Sequence, residues 1–142
     1  MLLRTVMAVS MLAAATAALA QSDPIAARKA LMKAQDDQAR IAVQMMRGNV
    51  PYDQAKADAV FKAFADTTEK FGTLFPDNSK TGDTKAAPAI WTDRVGFNAA
   101  LAKFTKDVSD NRAKTKTLDE FKVAIGAVGS NCNACHDKYR LK

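Results

Sequence analysis

The run Cys132-Asn133-Ala134-Cys135-His136, close to the end of a 142-residue chain, gathers its only two cysteines and its only histidine. C-x-x-C-H is the spacing that attaches a c-type haem. Two thiols add across the porphyrin vinyl groups, and the adjacent imidazole binds the iron from one face. Both thioethers and the axial nitrogen must reach one small macrocycle, which is why the run has to be compact. With no other Cys or His in the chain, nothing else in the sequence competes for this assignment. Attachment consumes both thiols and therefore excludes a disulfide between them, the ordinary fate of a cysteine pair in an exported protein. A dithiol redox pair is the other known use of C-x-x-C. Such pairs follow a strand and open a helix, where the helix dipole lowers a thiol pKa. Here the pair lies near the end of a predicted helix.

The elements that must position this motif read as helices. There is no sustained alternation of apolar and polar residues and no Asn-Gly hairpin turn. Asp23-Pro24 supplies an N-cap and a first-turn proline, and a helical pattern runs from Ile25 to Gly48. Pro51 opens a second helix through about Phe71, with Val60, Phe61, Phe64 and Phe71 as its apolar stripe. A third runs from about Ala89 to Val108, where Ile90, Phe97, Leu101, Phe104 and Val108 step by three or four or a whole number of turns. Thr117-Leu118-Asp119-Glu120 is a capping box that opens the fourth helix. Along that helix Phe121, Ala124, Ile125, Val128, Cys132, Cys135, His136 and Tyr139 share one face, so the motif points to the interior. Gly126 and Gly129 weaken the helix; they serve a close approach by backbone or porphyrin, or are incidental. The polar stretch from Phe75 to Pro88 is expected to be a long, solvated loop. The fold expected is all-α, an antiparallel up-down-up-down four-helix bundle with a covalently bound haem in its interior.

Residues 1–20 are expected to be a cleaved signal peptide: a basic head at Arg4, an apolar run from Thr5 to Ala17, and Ala18-Leu19-Ala20 before Gln21. Removing 20 of 142 residues leaves 122, a single cytochrome domain at 21–142. Export implies the periplasm, which agrees with haem attachment outside the inner membrane. Loss of Arg4 leaves 20 Lys and Arg against 15 Asp and Glu, a net charge of +5. This dispersed charge, without a basic-aromatic run, argues against nucleic acid.

His136 provides one axial ligand, and the opposite face of the iron is left to a thioether, a lysine amine or nothing. The methionines after residue 20 are Met32, Met45 and Met46. In the expected bundle the start of the first helix lies beside the end of the fourth. Met32 is then about 10 Å inside that end, and Met45 and Met46 are roughly 20 Å further away. Met32 alone is at the level of His136, either as ligand or as core packing.

Taken together, these stretches resemble the class II c-type cytochromes, the family of cytochrome c′ and its low-spin, methionine-ligated relatives of the cytochrome c-556 type. The resemblance is most specific at Cys132-x-x-Cys135-His136-Asp137-Lys138-Tyr139-Arg140 in the last helix; class I cytochromes place this motif near the N-terminus. Arg28-Lys29-Ala30-Leu31-Met32-Lys33, Pro51-Tyr52-Asp53 and Ile90-Trp91-Thr92-Asp93 also match. The resemblance implies Met32 as sixth ligand, at a position where cytochrome c′ typically carries an apolar residue and five-coordinate iron. It implies that Arg28 pairs with a haem propionate and that Arg140 borders the proximal pocket.

A His/Met haem c, one per chain, implies a one-electron carrier and not an enzyme. Its partners would be periplasmic or membrane-bound redox proteins with acidic docking surfaces. These would meet a basic rim of Lys29, Lys33, Lys138, Arg140 and Lys142. A homodimer is compatible with the sequence. The rival reading, from another class, is a five-coordinate protein that captures nitric oxide or carbon monoxide.

Overall fold

The computed structural model describes residues 23–142, so the expected signal peptide and its cleavage site lie outside the described residues. Helix α1 spans Pro24–Met46. The Asp23 carboxylate accepts from the Ile25 amide at 2.9 Å, and the proline at N1 needs no donor. After the Arg47 C-cap the chain turns through Gly48 at φ +74°, a backbone conformation that favours glycine. Helix α2 spans Gln54–Lys70 and begins three residues after Pro51, because Asp53, in extended backbone, is the cap and accepts from the Lys56 amide.

The expected third helix is divided. A single turn, α3 (Ala89–Thr92), precedes α4 (Arg94–Asn111). Asp93, at φ −124° and ψ 60°, takes the Gly96 amide onto its side chain, which caps α4 and interrupts the helical ladder. Helix α5 spans Leu118–Tyr139 and starts with the capping box: Glu120 N donates to Thr117 Oγ1 while Thr117 N donates to Glu120 Oε2, both at 3.2 Å.

α1 packs on α2, α2 on α4, and α4 on α5, with a lighter seam between α1 and α5 that closes the antiparallel four-helix bundle. Its buried apolar residues form two clusters. One, at the α1–α2 turn end, joins Ala42 and Met45 to Val60, Phe61, Phe64, Phe104, Val108, Phe121 and Val128. The other, at the opposite end, centres on Phe75, Ile90, Phe97 and Tyr139, with Cys135 and Trp91 against it. Its rings meet edge to face at 5.0 to 6.0 Å.

The stretch from Phe75 to Pro88 is not simply solvated. Phe75, Ser79 and Ala87 are buried in it, and a 3-10 turn forms at Asp77–Ser79. The cause is Arg28 of α1. Nη1 donates to Leu74 O and Ser79 Oγ, and Nη2 to Ser79 O and Thr84 Oγ1, at 2.6 to 3.1 Å. The end of this loop runs antiparallel to the residue after α5, through an isolated bridge between Ala86 and Arg140. A Cβ at Gly126 or Gly129 would meet nothing within 4 Å, so no protein backbone approaches either glycine closely.

Candidate functional site

The last two turns of α5 carry Cys132, Cys135 and His136 at helical spacings of three and four, which sets them on one face of the helix. Both cysteines are free and half-buried, and His136 is exposed. Burial pushes both thiols above their ordinary pKa, with the neighbouring Cys132 charge adding to the effect at Cys135. This is the reverse of an activated redox cysteine. Partial desolvation of the ring beside the helix, then the Arg140 charge, lower the His136 pKa against an opposing Asp137. The shift favours the neutral imidazole, the form in which it can donate a lone pair to a metal.

Directly before the motif, Asn131 is buried and its amide donates at 2.7 Å to Asp107 Oδ2 of α4. Beyond it, Asp93 Oδ2 accepts from Lys138 Nζ at 2.6 Å and from Tyr139 Oη at 3.1 Å. Neither contact has a signature in the sequence. Asp93 stood out only as part of a helix opening, and Asp107 and Asn131 carry no local signal.

Arg28 stands at the same end of the bundle as the motif. Its guanidinium lies 4.9 Å from the centre of the Phe75 ring, in the cluster that also holds Tyr139 and Cys135. Met32 is one turn further along α1 and half-buried, as is its neighbour Leu31. Met45 is wholly buried in the opposite cluster. Only 4% of Arg28 is exposed, and all four acceptors it reaches are neutral. A buried cation without a carboxylate suits an anionic group placed beside it. Further in on α1, the side-chain oxygens of Gln35 and Gln38 are buried without a partner.

Arg140 does not continue the helix one turn past His136. α5 stops at Tyr139, and Arg140 adopts extended backbone (φ −124°, ψ 133°) to pair with Ala86, while its amide donates to the His136 carbonyl at 3.2 Å. Of the five expected rim cations, Lys29, Lys33 and Lys138 each pair with an aspartate, Asp83, Asp37 and Asp93 respectively, at 2.5 to 2.6 Å. Arg140 and Lys142 form no ion pair among the described residues.

The residues present therefore fit a covalent haem: two free thiols and an imidazole on one helical face, a half-buried thioether on the facing helix, and a buried guanidinium alongside. Known proteins agree. The family model described as "Cytochrome C'" matches residues 23–140. A cytochrome c′ from Rhodopseudomonas palustris is 38% identical over 126 residues, covering 88% of this chain and 86% of that protein. A cytochrome c-556 from the same organism is 35% identical over 147 aligned positions and covers 99% of both. The solved structure of cytochrome c′ from R. palustris superposes with a TM-score of 0.81 at 37% identity, covering 86% of this chain and 98% of that one. The chain belongs to the cytochrome c′ family, and it is a haem c electron-transfer protein.

Proposed function

We propose that this member of the cytochrome c′ family is a periplasmic one-electron carrier in which Cys132 and Cys135 hold the haem, His136 is the proximal ligand and Met32 is the distal one. The carrying observation is the placement of Met32. It lies one turn from the buried Arg28, at the bundle end that holds Cys135 and Tyr139, whereas Met45 is sealed in the opposite cluster. When bound, the haem supplies reversible one-electron chemistry at iron.

The chain's own part is to hold, orient and shield. The thiols would anchor the group to α5, and the imidazole, its neutral form favoured, would offer a lone pair. Arg28 brings a buried positive charge, with its Nε–H left over, to the site of a propionate. The Met32 thioether from α1 would be the second side chain to hold the iron and, being soft, would favour its ferrous state. The apolar cluster of Phe75, Phe97, Trp91 and Tyr139 lowers the local dielectric and works in the same direction.

The rim cations are the docking surface for an acidic redox partner. Because Lys29, Lys33 and Lys138 are each paired with an aspartate, Arg140 and Lys142 are the two of the five whose charge is not offset by an ion pair among the described residues.

An optical spectrum of the ferrous holoprotein before and after carbon monoxide tests the ligation. Sharp low-spin bands that resist the gas, and turn high-spin and gas-reactive in Met32→Ala, are expected. A broad high-spin spectrum that converts at once in the wild type would instead make gas capture the function.

A further inference from the structure

His136 sits in the final turn of α5, three residues before the helix stops at Tyr139. Terminal turns fray, and their last carbonyls lack intrahelical donors. An axial ligand there needs an outside anchor. Part of the anchor is the strap at 85–87: Ala87 N donates to Tyr139 O at 3.0 Å, and Leu141 N donates to Lys85 O at 2.8 Å. These bonds tether the backbone at the end of the helix.

A second anchor, through side chains, comes from α4. The Asp93 carboxylate serves two helices at once: Oδ1 accepts the Gly96 amide at 3.0 Å as the cap of α4, and Oδ2 accepts Lys138 Nζ and Tyr139 Oη. Lys138 and Tyr139 project from adjacent positions on α5, two and three residues after His136, so gripping both fixes the turn that carries the imidazole. Tyr139 is 5% exposed and its ring packs edge to face on Phe97 of α4, with centroids 5.3 Å apart. Gly96 is part of the fit. A Cβ there would collide with Asp93 Oδ2 and stand 2.7 Å from Tyr139 Oη, closer than real Cβ contacts allow.

We propose that Asp93, seated against Gly96, is a positioning residue that sets the orientation of the His136 imidazole by gripping Lys138 and Tyr139 from α4. The proposal rests on His136 being an iron ligand, and the experiment separates the two. The chain has one histidine, so 15N-histidine labelling of the holoprotein reports on His136 alone. Hyperfine-shifted ring nitrogens in the ferric wild type would show that it binds the iron. Their absence would overturn the ligation and the proposal together.

The orientation is read from the spread of the hyperfine-shifted haem methyl resonances, which follows the plane of the axial imidazole, and from the reduction potential. Gly96→Ala improves intrinsic helix propensity while forcing the grip apart. Asp93→Ser keeps an N-cap oxygen but cannot span to α5. Both are expected to change the methyl spread and shift the potential in the same direction. Thr117→Ala, which weakens α5 at its far end, is expected to lower the denaturation midpoint with the methyl pattern unchanged. Wild-type ligation with methyl resonances unmoved in both Gly96→Ala and Asp93→Ser would overturn the proposal, as would an equal displacement in Thr117→Ala.

Discussion

Arg28 carries its charge into a position where solvent reaches 4% of its surface, and it forks between two parts of the loop beneath α1. Burial pushes its pKa down, partly opposed by the charge of Asp23, but an arginine stays protonated across the working range. Arg28→Met would leave the Leu74 carbonyl and both Ser79 oxygens without the donor they have now, while Thr84 Oγ1 would keep only the Ala86 amide. We expect a loss of roughly 2–4 kcal/mol in holoprotein stability by denaturant titration, with Arg28→Lys recovering only part of it because an ammonium cannot reproduce the fork. At this scale the sequence was half legible. Cys132, Cys135 and His136 are adjacent, so their chemistry is written in five consecutive residues. The partners of Arg28 lie up to 56 residues away, which no local pattern reveals.

At the scale of elements, four helices and the start of α5 were legible because caps and apolar spacing are local. The break at Asp93 was not, since its cause is a side chain that competes with the backbone and then finds partners 45 and 46 residues away. Thr117→Ala removes one half of the capping box and should cost about 1 kcal/mol, measured as a lowered urea midpoint.

The α4–α5 seam also carries a pH dependence. Hydrogen bonds from Asn131 and then Lys103 hold the Asp107 carboxyl below its ordinary pKa. A depressed carboxylate contributes stability above its unfolded pKa, near 3.9, and loses it as pH falls through the lower folded value. The holoprotein melting temperature should therefore fall as pH drops below about 4, and less steeply in Asp107→Asn. Equal slopes in the two proteins would remove Asp107 from the explanation.

For the molecule as a whole, the consequential feature is a core in two clusters, one at each end, with the α1–α5 seam the lightest of the four. Cys135 packs against the second cluster, and Met32 lies on α1 one turn from Arg28, which packs on Phe75 of that cluster. We expect such a small chain to need its cofactor to join the clusters. A Cys132→Ser/Cys135→Ser chain, made without haem, should show reduced helical circular dichroism and a broad melt; a sharp cooperative transition with full helix content would contradict this. At the same scale the field at the rim predicts that electron exchange with an acidic partner slows as salt is added, and that Arg140→Gln with Lys142→Gln removes most of this dependence. Salt-independent exchange would discard the docking surface.

The central claim is that Met32 completes the iron's coordination opposite His136. Proton NMR of the ferrous holoprotein addresses it directly, because a methionine bound to low-spin haem has its methyl group over the porphyrin ring. A single three-proton resonance shifted far upfield, present in Met45→Leu and lost in Met32→Leu, is the predicted result. No such resonance in the wild type, or one that survives the loss of Met32, would contradict the account.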